Sequence, residues 1–193
     1  MDTESVKAYP SAVAWESFGV AETPAEYVFH RPRLYLETTI PSFLTARPSR
    51  DLAKSRMQWI TARWWNSWRT QFHIYVSTIV LKEARKGDPE AARRRLDILE
   101  PIQVVDHNPR SYALADRLMA SSAMPPDSRN DAEHIAIASV HEITFLLSWN
   151  CAHLANTHTS REIAEICRSE GYCCPTLCAP QTLLERYEHG HTT

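Results

Sequence analysis

Four oxygen-bearing residues stand where short apolar runs end or helical patterns begin: Glu37 in "LYLETTIP", Glu83 in "STIVLKEARKG", Asp131 in "DAEHIAIA" and Asn150 in "FLLSWNCAHL". Oxygen donors gathered in one place select hard cations such as Mg²⁺ or Mn²⁺. One or two such ions lower the pKa of water, align it with a phosphodiester and offset charge on the leaving oxygen, so no nucleophilic side chain is needed. Each residue taken singly also has an ordinary explanation. Glu37 can be a solvated strand-end acid, and Asn150 a turn residue. Asp131 can serve its own helix, because Ser128-Arg129-Asn130-Asp131 fits the capping signature and an acid suits the first turn. Glu83 shares a face with Ile79 and Val80, so burial there calls for Lys82, Arg85, Lys86 or a cation to offset its charge.

Acting together would require one sheet edge to collect all four. Apolar runs at 34–36 ("LYL"), 72–76 ("FHIYV"), 102–105 ("IQVV") and 143–148 ("ITFLLS") are short and apolar on both faces. With helices between them, they predict a parallel sheet covered on both sides. Helical patterns span 49–70, 78–87, 88–99, 109–121, 129–141, 160–170 and 180–188, with Ser77 or Thr78 as a cap and Gly87 as a stop. The expectation is an α/β fold, a three-layer α/β/α sandwich whose central, mostly parallel sheet has four to five strands. In such sheets ligands collect outside the carboxyl ends of the strands. Trp59, Ile60, Trp64 and Trp68 form a stripe at helical spacing that reads as core or dimer contact rather than a base-stacking surface.

A chain of 193 residues with 44% apolar and 23% charged residues suits a folded domain, and only four glycines argue against an all-β fold. Residues 1–30 lack a sustained period and read as an N-terminal extension, leaving 31–193 as the folded domain. No window approaches the roughly 18 apolar residues of a membrane span and no leader pattern is present, so the expected location is cytoplasmic. Five cysteines, all after residue 150, read as reduced thiols; Cys173, Cys174 and Cys178 with His153 and His158 lack the paired spacing of a zinc site. The segment 47–95 holds twelve Lys or Arg against four acids. Such a surface fits a polyanion like RNA, with Arg47, Arg50, Lys54 and Arg85 as candidate contacts, or it is a solvated helix face.

The blocks "YLETTIPSFL", "STIVLKEARKG", "DAEHIAIA" and "FLLSWNCAHL", in that order across about residues 33–187, resemble the four motifs of the PIN-domain nucleases, in particular the VapC-like toxins of toxin–antitoxin pairs. The resemblance implies a PIN-like fold, a bound Mg²⁺ or Mn²⁺, hydrolysis of RNA, a homodimer and an antitoxin partner. Carried over by position, it implies that Glu37, Glu83, Asp131 and Asn150 are the catalytic and metal-binding set. Thr39 and Ser148 match supporting polar neighbours, and His153 follows them. The family's pattern usually has aspartate at the first position and often at the fourth; Glu37 adds a methylene and Asn150 drops a charge. The alternative reading is a catalytically weak PIN-like module that binds RNA or a protein. A phosphatase of the haloacid-dehalogenase kind would need D-x-D-x-T after the first strand, which "LETTI" lacks.

Overall fold

Leu34, Tyr35 and Leu36 are fully buried, which a strand achieves when both faces of its sheet are covered. A computed structural model, which describes residues 31–121, 123–150 and 157–189, places them in β1 (Arg33–Leu36). The other strands are β2 (His73–Ser77), β3 (Gln103–Val105), β4 (Phe145–Leu147) and β5 (Thr176–Cys178). They form a parallel sheet in the order β3-β2-β1-β4-β5.

Eight α-helices accompany them among the described residues: α1 (Thr39–Thr45), α2 (Leu52–Trp68), α3 (Thr78–Ala84), α4 (Pro89–Leu99), α5 (Pro109–Met119), α6 (Arg129–Val140), α7 (Thr157–Ser169) and α8 (Pro180–His189). Parallel neighbours need crossovers, and these are right-handed. The chain steps outward from β1 through β2 to β3, then returns across the sheet to β4 and on to β5. That reversal sends α5, α6 and α7 to the opposite face from α1–α4. Helix contacts follow this division: α1 packs on α2 and α4, α3 on α4 and α2 on α8, while α5 packs on α6 and α7. The α/β/α layering expected from the sequence is the architecture observed. No helix among the described residues is long and apolar enough to cross a membrane.

Local signals account for most boundaries. The side chain of Ser77 accepts from the Val80 amide to cap α3, and Gly87 beyond its end adopts φ +88. Asp51, Asp88 and Asn108 cap α2, α4 and α5, the last two followed by proline at N1.

Four expectations need correction. β3 is an edge strand with Gln103 and Val104 exposed, not a run buried on both faces. Trp59 is 59% exposed, so the inward stripe is Ile60, Trp64 and Trp68, where Trp68 packs against Tyr187. α1 and β5 form where the sequence shows neither an apolar run nor a helical pattern. Pro41 lies in the first turn of α1, where no donor is missed. The expected extension at residues 1–30 lies outside the described residues, as does His153.

Candidate active site

The return of the chain from β3 to β4 leaves β1 between two strands reached by opposite routes, which is the switch point at which such sheets bind ligands. Glu37 follows β1, and Ser148, Trp149 and Asn150 follow β4. The Glu37 amide donates to the Leu147 carbonyl at 3.0 Å, holding the two strand ends together.

Glu37 is 5% exposed, and its carboxylate is braced on one oxygen. Oε2 accepts from the Thr39 amide at 3.0 Å, the Thr39 hydroxyl at 2.5 Å and the Ser148 hydroxyl at 2.7 Å. Thr39 Oγ1 in turn accepts from the Trp149 amide, and Ser148 Oγ from the Asn150 amide. Thr39 and Ser148 therefore join the β1 and β4 loops through Glu37. Oε1 takes no hydrogen bond among the described residues.

Glu83 reaches the same place from α3. Its Oε2 accepts from the Thr38 hydroxyl at 2.5 Å and lies 3.3 Å from His134 Nε2; its Oε1 accepts from Asn130 Nδ2 at 2.8 Å. His134 is 1% exposed, and its Nδ1 lies 2.7 Å from the Tyr35 hydroxyl, which also meets Ser77 Oγ at 2.7 Å. A buried polar chain thus runs from the middle of β1 to the Glu83 carboxylate. The groups that hydrogen-bond or contact Glu83 are His134, Thr38 and Asn130; of the expected Lys82, Arg85, Lys86 or cation, Lys86 contributes charge.

Burial by itself raises the Glu83 pKa, but hydrogen bonds from His134 and Thr38, with the charges of His134 and Lys86, outweigh it and leave the carboxyl below its ordinary value. A depressed carboxyl pKa stabilises the fold above the unfolded value, and that stability is lost as pH falls through the folded value. Glu83→Gln is accordingly expected to melt at a lower temperature than wild type at neutral pH, with the gap closing in acid. Thermal unfolding across that range checks it; a gap that widens in acid would contradict the assignment.

Asp131 is 6% exposed in the first turn of α6, and its Oδ1 accepts from Asn150 Nδ2 at 3.0 Å. Ser128 occupies the N-cap position but its side chain makes no cap hydrogen bond, so the capping box expected there does not form. Ligand atoms of Glu37, Glu83 and His134 all lie within 4.8 Å of one another, while Asp131 stands outside that closest set. Sequence reasoning passed over His134, although it lies at i+3 from Asp131 in the same quoted block and so shares its helix face. Thr38 and Asn130, neighbours of residues already singled out, were missed too.

Arg47, Arg50, Lys54 and Arg85 are exposed, and Arg47 lies 4.0 Å from Glu90. Cys167, Cys173, Cys174 and Cys178 are free thiols, and among the described residues no cysteine joins a tight set of metal-capable side chains.

Two carboxylates this close in a poorly solvated place need positive charge between them. His134 supplies a hydrogen bond to one. Glu37 has no cationic partner among the described residues, and its Oε1 is open. The donor set is dominated by carboxylate oxygen, which suits Mg²⁺ or Mn²⁺ better than a soft metal.

No family model and no curated protein matches this chain. Among solved structures, a toxin–antitoxin complex from Klebsiella pneumoniae aligns at a TM-score of 0.45 with 15% identity, over 66% of this chain and 93% of that one. VapBC2 from Rickettsia felis, bound to a DNA fragment from its promoter, aligns at 0.47 with 14% identity, over 76% and 97%. Likeness at that level carries no argument about activity, which rests on the residues of the site.

Proposed function

We propose that the chain is a Mg²⁺- or Mn²⁺-dependent endoribonuclease of the PIN-domain, VapC-like kind, acting as the toxin of a toxin–antitoxin pair. The observation that carries the reading is the convergence of Glu37 and Glu83 at the sheet's switch point. They come from separate elements, and their oxygens lie within 4.8 Å of each other and of His134. Glu37, Glu83 and Asp131 would hold the ion. When bound, such an ion lowers the pKa of water and offsets charge on phosphodiester oxygens. Asn150 orients Asp131, Thr39 and Ser148 brace Oε2 of Glu37 and leave Oε1 open, and His134 with Thr38 keeps Glu83 ionised. The four motif blocks support the toxin assignment, and with it an antitoxin partner and a homodimer.

The test is cleavage of mixed RNA by the protein freed of any antitoxin. Cleavage is expected with Mg²⁺ or Mn²⁺, should stop with chelator, and should fall at least about 100-fold in Asp131→Ala, since even groups behind a metal ligand cost 10- to 100-fold. Wild type no better than the variant refutes the enzyme and favours a module that only binds RNA or a protein, a reading to which the uncharged Asn150 also lends itself.

A further inference from the structure

A cavity of about 410 Å³ adjoins the carboxylates on the α3 side, with Glu83 on its rim. Its walls have a chemistry unlike that of the acids. Lys82 and Lys86, one turn apart on and just past α3, line it and have no acidic partner within 4.0 Å among the described residues. Glu133, also on the wall, is engaged at 2.8 Å by Arg129, which it shares with Asp116. Opposite stands an aromatic pair: Tyr112 lies over His107 with ring centroids 3.5 Å apart and planes at 21°.

Tyr112 is 48% exposed although one face is covered by His107. Its exposure therefore belongs to the opposite face and the edge. Under it, His107 Nε2 is buried and has no hydrogen-bond partner among the described residues. Burial, the largest influence on His107, depresses its pKa, which favours a neutral ring in the stack. Asn130, whose amide reaches Glu83, supplies hydrogen-bonding groups to the same wall.

We propose that this cavity is a nucleotide subsite for single-stranded RNA: a base stacks on the open face of Tyr112, and Lys82 and Lys86 take its phosphates. An aromatic platform beside unpaired cations is what single-strand recognition uses, since every base has a π-face and every link a charge. Because Glu83 forms the rim, a base seated here delivers the neighbouring phosphodiester to the carboxylates. This deepens the nuclease reading and rests on it. It also moves the RNA contact from Arg47, Arg50 and Lys54 to the α3–α5 side.

The experiment is fluorescence anisotropy with a short, labelled, mixed-sequence single-stranded RNA, with chelator present so that nothing is hydrolysed. Tyr112→Ala is expected to bind about 5- to 100-fold more weakly, and Tyr112→Phe within about twofold of wild type. Lys82→Ala and Lys86→Ala should each reduce the salt dependence, by roughly 0.7 in the slope of log affinity against log salt. Binding unchanged by all three substitutions, or no saturable binding by wild type, overturns the subsite. Hexaglutamate displacing RNA equally well from wild type and Tyr112→Ala also overturns it, assigning the lysines to an acidic protein segment. Failure here is separable from failure of the nuclease reading, because metal-dependent cleavage by wild type is measured independently of where the base sits.

Discussion

Replacing Glu37 by glutamine is expected to lower kcat/KM for metal-dependent RNA cleavage at least about 100-fold, because a ligand should cost no less than the outer groups that support one. Glutamine keeps the size of the side chain, so fold and stability should change far less than activity. Manganese binding followed by electron paramagnetic resonance should weaken in parallel. Glu37→Asp is the more informative partner. It retains the charge but draws the carboxylate back by roughly 1.5 Å, one carbon–carbon bond. The donors that brace Oε2 come from Thr39 and Ser148, and aspartate cannot keep all of them while offering its second oxygen to an ion. An intermediate loss, on the order of 10- to 100-fold, is expected from displacement on this scale. Wild-type activity in Glu37→Gln would remove Glu37 from the metal set.

The largest expected effect on stability lies away from the site, at Trp64. This side chain is fully buried between α2 and the sheet, with Phe72 and Trp65 as ring neighbours at 6.0 and 6.3 Å. Truncation to alanine should cost about 3–5 kcal/mol in urea unfolding, a large part of the ~5–15 kcal/mol that holds a typical domain. Trp64 Nε1 is buried and has no hydrogen-bond partner among the described residues. Trp64→Phe removes that orphaned donor, worth about 1–3 kcal/mol, along with part of the ring. It should therefore cost less than half as much as alanine. Equal losses would mean that the indole N–H is satisfied in solution.

How much of this was legible in the sequence depended on how local the signal was. β1 and β4 were readable because strands covered on both faces are continuous apolar runs. β3 misled because Ile102, Val104 and Val105 look like a buried run, whereas an edge position leaves Val104 in water. β5 is a three-residue strand, Thr176–Cys178, among cysteines and a proline, too short to show a period. Glu37 and Glu83 could be picked out because each sits at a fixed offset from its strand. His134 could not be ranked above the other eight histidines without the contact that makes it special, a tyrosine 99 positions earlier in the chain. In the sequence, Lys82 and Lys86 read only as shields for Glu83. That they face a cavity with Tyr112 depends on how α3 and α5 meet, which no window of sequence contains.

The bond between Ser148 and Glu37 spans 111 residues, and that distance sets a clock. During synthesis, β1 and Glu37 leave the ribosome first, but the hydroxyl that braces the carboxylate emerges only with the loop after β4. At ~5–20 residues per second, the interval is on the order of 5–20 s. Throughout it the first carboxylate has neither its parallel neighbour on that side nor the Ser148 hydroxyl that braces Oε2. A chain interrupted between Asp131 and Ser148 carries Glu37, Glu83 and Asp131 with no finished site to put them in. The proposed ribonuclease activity is thereby withheld until the loop after β4 has been made.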